Sequence, residues 1–164
     1  MEKLMKCIGY NFKNIDILKT ALTHSSYANE NNADSYERLE FLGDSILSFV
    51  VSKHLYSSGK NITEGEMSKL RAAIVCERSL SECAKKLNLG SYMILSKGEE
   101  LTGGRTRVSI LADVFEAILA AVYIDGSFAD SEKFIVSQLG NAINKACQGI
   151  KLYTDYKTEL QELV

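Results

Sequence analysis

Between Ile110 and Ile124 the chain reads ILADVFEAILAAVYI, a run apolar nearly all round that carries two charges, Asp113 and Glu116. A helix hydrophobic on every face belongs in an interior with other helices around it. This run therefore demands a single core, and 164 residues are enough to build one domain around it. Its acids stand at i and i+3, hence on one face, with Ala117 and Ala120 beside them. Such small residues let a second helix, or a metal ion and its waters, come close.

An earlier stretch repeats the pattern. At about 100° per residue, Glu37, Glu40 and Asp44 fall in one narrow sector, while Leu39, Leu42, Ile46, Phe49 and Val50 gather on the far side. The continuation Ile46-Leu47-Ser48-Phe49-Val50-Val51 reads as buried. Acids at this spacing are ordinary on a solvated helix surface. Beside such an apolar continuation they are less so, because partly buried carboxylates repel one another and raise each other's pKa values. Something cationic belongs among them. Two buried helices, each with an acidic notch, point to four carboxylates converging on hard divalent cations, and oxygen-only ligation suits Mg²⁺ or Mn²⁺.

The bulk numbers narrow the class. Apolar content of 46% and charged content of 24% are those of a soluble globular protein. No run approaches the roughly 18 apolar residues of a membrane span. Met1-Glu2-Lys3-Leu4-Met5-Lys6 lacks the apolar stretch of a signal peptide, so the expected location is the cytoplasm. A net charge of −2 argues against a nucleic-acid binder held by bulk electrostatics. Cys7, Cys76, Cys83 and Cys147 form no CxxC pair and read as buried or partly buried thiols. The absence of proline favours uninterrupted helices.

Helical spacing is expected over residues 2–8 and 14–22, followed by a polar loop from His24 to Ala33. Asp34 or Ser35 is the expected N-cap of the first acidic helix, which should run to Ser57. Thr63-Glu64-Gly65-Glu66 reads as a capping box, opening a helix with Met67, Leu70, Ile74 and Val75 inward and Lys69 and Arg71 outward. Ser79-Leu80-Ser81-Glu82 reads as a second box, with a stop at Asn88-Leu89-Gly90. Residues 91–109 read as an irregular, mobile basic loop containing Lys97, Arg105 and Arg107, and Ser109 as the cap of the second acidic helix. A last amphipathic helix spans about Ala129 to Cys147. No segment has strand periodicity, so the expected fold class is all-α.

These residues resemble a family. ERLEFLGD at 37–44 is similar to the signature of ribonuclease III, the double-stranded-RNA endonucleases. THSSYANE at 23–30, EGEMSKLRA at 64–72, KGEELTGGR at 97–105 and ILADVFEAILAAVYIDGS at 110–127 follow in family order. The resemblance implies a helical catalytic domain over residues 1–150. It also implies that 151–164 are a linker and the start of the first helix of a double-stranded-RNA-binding domain. It implies Mg²⁺-dependent hydrolysis of both strands (Mn²⁺ substituting), leaving 5′-phosphate and 3′-hydroxyl ends, as in processing of ribosomal and messenger RNA precursors. Glu40, Asp44, Asp113 and Glu116 match its metal-binding and catalytic carboxylates, and Glu37 and Glu64 match acids at the edge of the site.

Other roles compete for some of these residues. Glu37 would be the N3 partner of a capping box if Asp34 is the N-cap, and Glu64 suits any helix N-terminus. Lys69, Arg71, Lys97, Arg105 and Arg107 are candidate phosphate contacts or simply surface charge. Phe41 sits on a polar flank where a large aromatic should not face water. The resemblance implies a homodimer in which it plugs into the partner. The alternatives are a non-catalytic RNA-binding or ribosome-associated relative, which would lack some of the acids, and a phosphohydrolase of small nucleotides.

Overall fold

A computed structural model describes residues 1–58 and 62–148, which fold into α-helices with two short 3₁₀ turns. The expectation for 151–164 lies outside the described residues. In chain order the helices are α1 (Glu2–Ile8), α2 (Ile15–Leu22), α3 (Ser25–Asn31), α4 (Glu37–Tyr56) and α5 (Glu64–Ile74), then α6 (Glu77–Lys86), α7 (Lys97–Leu101), α8 (Val108–Asp125) and α9 (Phe128–Cys147). Among the described residues no strand forms, and the one extended pairing is an isolated parallel bridge between Thr23 and Ile94. No helix among them is long and apolar enough to cross a membrane.

Helix α8 is the axis of the molecule. Val114, Phe115 and every residue from Ala117 to Val122 are buried, because α2, α4, α6 and α9 all pack against it. Each large side chain removed from water here contributes roughly 1.5–3 kcal/mol. α4 lies closest to α8, and Gly43 marks the crossing: a Cβ there would overlap the backbone carbonyl of Glu116. Glycine is needed at this position because two backbones meet with no room for a side chain.

Several local expectations hold, the clearest being Thr63. Its hydroxyl accepts from the Glu66 amide while the Glu66 carboxylate takes the Thr63 amide at 2.8 Å, a complete capping box. Others need correction. The polar stretch after His24 is a helix, α3, whose N-cap is His24 itself, with Nδ1 accepting from the Ser26 amide. Neither Asp34 nor Ser35 caps α4; Tyr36 does so without a side-chain bond, and Ser35 instead donates to Glu37. Ser79 and Ser81 open no helix, since α6 begins at Glu77 and buries both, although the expected left-handed stop after it does form, at Asn88. Ser109 lies inside α8, whose N-cap is Arg107.

The basic segment at 97–107 is structured, holding α7 and a 3₁₀ turn at Gly104–Thr106. Arg105 clamps Glu100 and also donates to the carbonyls of Gly90 and Met93, at 2.9 and 2.7 Å; Arg107 pairs with Glu99 at 2.7 Å. Arg105 and Arg107, candidate phosphate contacts or surface charge from the sequence, are thus engaged within the fold. Arg71 likewise turns inward, donating to Ser52 of α4 at 3.1 Å. Phe49, expected inside, is 59% exposed and meets Phe128 edge-on. Cys7 is exposed, whereas Cys83 is buried.

Candidate active site

The α4–α8 crossing sets the site. Gly43 allows the close approach, so the turns on either side of it bring Glu40 towards Asp113 and Glu116. Carboxylate oxygens of these three half-buried acids all lie within 4.8 Å of one another. Three negative oxygens at that spacing suit a hard divalent cation with oxygen ligands, and the donor set holds no sulfur or nitrogen to favour a softer metal. Asp44, one turn further along α4, is exposed; its charge acts on both Glu116 and Glu40.

The electrostatics record the crowding. Burial, then the charges of Asp44, Glu40 and Asp113, push the Glu116 carboxyl up to about 8. Glu40 is raised by burial and then by Asp113, Glu37 and Asp44. Asp113 is raised chiefly by burial, against a hydrogen bond from Tyr36 and the influence of His24, both of which lower it. None of the influences on Glu40 or Glu116 is cationic.

The remaining expected residues are placed as follows. Glu37 is exposed in the first turn of α4, accepts from the Ser35 hydroxyl at 3.0 Å and adds its charge to the field at Glu40. Glu64 stands elsewhere in the chain, in a groove between α4 and α5 lined by Ser52, Leu55, Tyr56, Met67, Ser68 and Arg71. Twelve residues of helix separate Ser52 from Glu40, about 18 Å at 1.5 Å per residue. Phe41, beside the acids, is 79% exposed.

Three residues that sequence reasoning passed over also face the cluster. Tyr36, only 3% exposed, sends its hydroxyl to Asp113 Oδ2 at 3.3 Å. Burial and the nearby acids push its phenol well above the ordinary range. His24 packs its ring against Tyr36 at 5.7 Å between centroids. Glu77, at the start of α6, raises Asp113 by its charge. The position of Tyr36 directly before the acidic motif was the one available signal.

Comparison with known proteins gives the chain its relatives. A family model described as Ribonuclease-III-like matches residues 14–143. A protein called Ribonuclease 3 from Caldanaerobacter subterraneus subsp. tengcongensis is 53% identical over 159 residues, covering 96% of this chain and 69% of that protein. Another, from Clostridium beijerinckii, is 50% identical over 165 residues, covering 100% of this chain and 71% of that protein. Among solved structures, the nuclease domain of ribonuclease III from Campylobacter jejuni superposes with a TM-score of 0.81 at 38% identity. It covers 86% of this chain and 96% of that one, and is described for flexibility in its region involved in dimer formation.

Proposed function

The chain belongs to the ribonuclease III family, and from that premise we propose that Glu40, Asp44, Asp113 and Glu116 hold the divalent ions with which it cleaves RNA. It is an endoribonuclease that hydrolyses phosphodiesters of double-stranded RNA. The observation that supports the site most is the meeting of Glu40, Asp113 and Glu116 oxygens within 4.8 Å, brought together from two helices far apart in the sequence. Mg²⁺ is the proposed ion, with Mn²⁺ as a substitute.

When bound, such ions lower the pKa of a coordinated water and stabilise the departing 3′-oxygen, so no side-chain nucleophile is needed. The residues supply the rest. Glu40, Asp113 and Glu116 fix the position of the charge, and Asp44, exposed at the mouth, serves the solvent side. Glu116 must give up its proton on loading, because a carboxyl held up at about 8 is largely protonated at neutral pH without a cation. Neither His24 nor His54 is required as a base. His24 caps α3 and His54 lies 3.2 Å from Glu132.

In the same reading Glu37 and Glu64 border the path of the RNA, and Glu64 does so from outside its own chain's cluster. Phe41 seats in a second copy, which would set two acid sites side by side, one for each strand. The enzyme works in the cytoplasm. Duplex RNA is read largely by shape and 2′-hydroxyls. The non-catalytic alternative predicts loss of one or more acids, and all four positions here are carboxylates.

The decisive experiment is cleavage of a long RNA duplex with Mg²⁺. Glu116→Gln keeps shape and removes charge, so turnover should be lost while melting temperature and sedimentation stay near the parent's. Retained cleavage would refute the assignment.

A further inference from the structure

Tyr36 is buried to 3% exposure, and both ends of it are fixed. Its amide donates to the Thr23 carbonyl at 2.9 Å, and its own carbonyl accepts the Glu40 amide at 2.9 Å. Its ring lies against His24. The side chain has little freedom, and its hydroxyl is carried to Asp113 Oδ2, a residue 77 positions away on α8. If packing were its whole task, phenylalanine would fill the same space without the cost of burying a hydroxyl beside several acids. The hydroxyl is explained by what it holds.

Resting on the metal-site reading above, we propose that Tyr36 is a positioning residue whose hydroxyl fixes the rotation of the Asp113 carboxylate so that it presents an oxygen to the cation shared with Glu40 and Glu116. A carboxylate has four lone-pair directions, so accepting from a hydroxyl leaves it able to ligate. The 3.3 Å separation is long for such a pair. Tyr36 also ties the two halves of the cluster together, since the carbonyl that accepts the Glu40 amide belongs to the residue whose hydroxyl grips Asp113. Removing a partner that orients a metal ligand typically lowers metal affinity by 10-fold or more.

Mn²⁺ binding to the RNA-free protein, followed by electron paramagnetic resonance, tests this with Tyr36→Phe and Asp113→Asn beside the parent. Tyr36→Phe should bind Mn²⁺ about 10-fold more weakly, with an unchanged metal-free melting temperature and with kcat recovered as Mn²⁺ is raised. If Tyr36→Phe binds as tightly as the parent while Asp113→Asn binds weakly, the positioning role is overturned and the metal site stands. A Tyr36→Phe protein that only melts lower, with its Mn²⁺ affinity intact, overturns the positioning role in the same way. If neither substitution weakens binding, the site reading falls and this proposal falls with it.

Discussion

Burial and like charge act on Glu116 in the same direction, and the consequence is a pH dependence of opposite sign to the usual carboxylate's. In the folded, metal-free protein the group is held up at about 8 against an ordinary value of 4.5. The folded state therefore keeps a proton that the unfolded state releases, so stability from this group is complete below about 4.5 and is lost as pH rises through about 8. Glu40 and Asp113, also raised, add in the same sense. Thermal unfolding in a chelator should show the parent melting lower at about pH 8.5 than at about pH 5. Glu116→Gln should flatten much of that fall; equal slopes in the two proteins would count against the crowding. At this scale the meeting of Glu40, Asp113 and Glu116 was legible because each interrupts an apolar helix, whereas Asp44 stands exposed outside their cluster. Glu77 was not, and Tyr36 only by its place directly before the acidic motif, since each reaches Asp113 through the fold.

The helices carry the acids only as accurately as they pack, and Gly43 is where that accuracy is set. A methyl group there would overlap the Glu116 carbonyl, and the obstacle is backbone, which cannot rotate away as a side chain can. Overpacking of this kind typically costs 1–3 kcal/mol. Gly43→Ala should lower stability in urea by about 2 kcal/mol or more and weaken Mn²⁺ binding as α4 is pushed off α8; a variant as stable as the parent would mean the helices have slack. Thr63 offers a contrast far from the site: Thr63→Ala should cost about 1 kcal/mol in urea and leave Mn²⁺ affinity untouched, whereas lost affinity would mean that α5 reaches the cluster. Periodicity located α1, α2, α5, α8 and α9 because each has an apolar stripe or, in α8, an apolar surface throughout. It missed α3 and α7, which are short, polar and held by caps and tertiary bonds. It misread Ser79 and Ser81 because a capping-box spacing inside a helix looks like one at its start.

For the whole molecule, the open question is what covers α4 on the side away from α8. Phe41, Phe49 and Tyr56 are 79%, 59% and 80% exposed, and at about 100° per residue they fall within about 80° of one another. Hydrophobic periodicity placed Phe49 in the core, because apolar character alone does not distinguish a residue packed inside from one left at the surface. Under the homodimer reading this strip is where the second copy sits, and Phe41, next to Glu40 and Asp44, links assembly to catalysis. Truncating a central aromatic at an interface commonly costs at least 2 kcal/mol, roughly a thirtyfold rise in dimer Kd. Sedimentation equilibrium of Phe41→Ala should therefore show monomer at concentrations where the parent is dimeric. Its metal-free melting temperature at concentrations low enough that the parent too is monomeric should change little, since the exposed ring contributes almost nothing to its own chain's core. Mn²⁺ affinity per chain should survive, because Glu40, Asp113 and Glu116 all come from one chain. Cleavage should fall with the dimer fraction and recover as protein concentration is raised. An unchanged mass at low concentration would remove Phe41 from the interface, and loss of cleavage that concentration does not restore would place its role at the acids beside it.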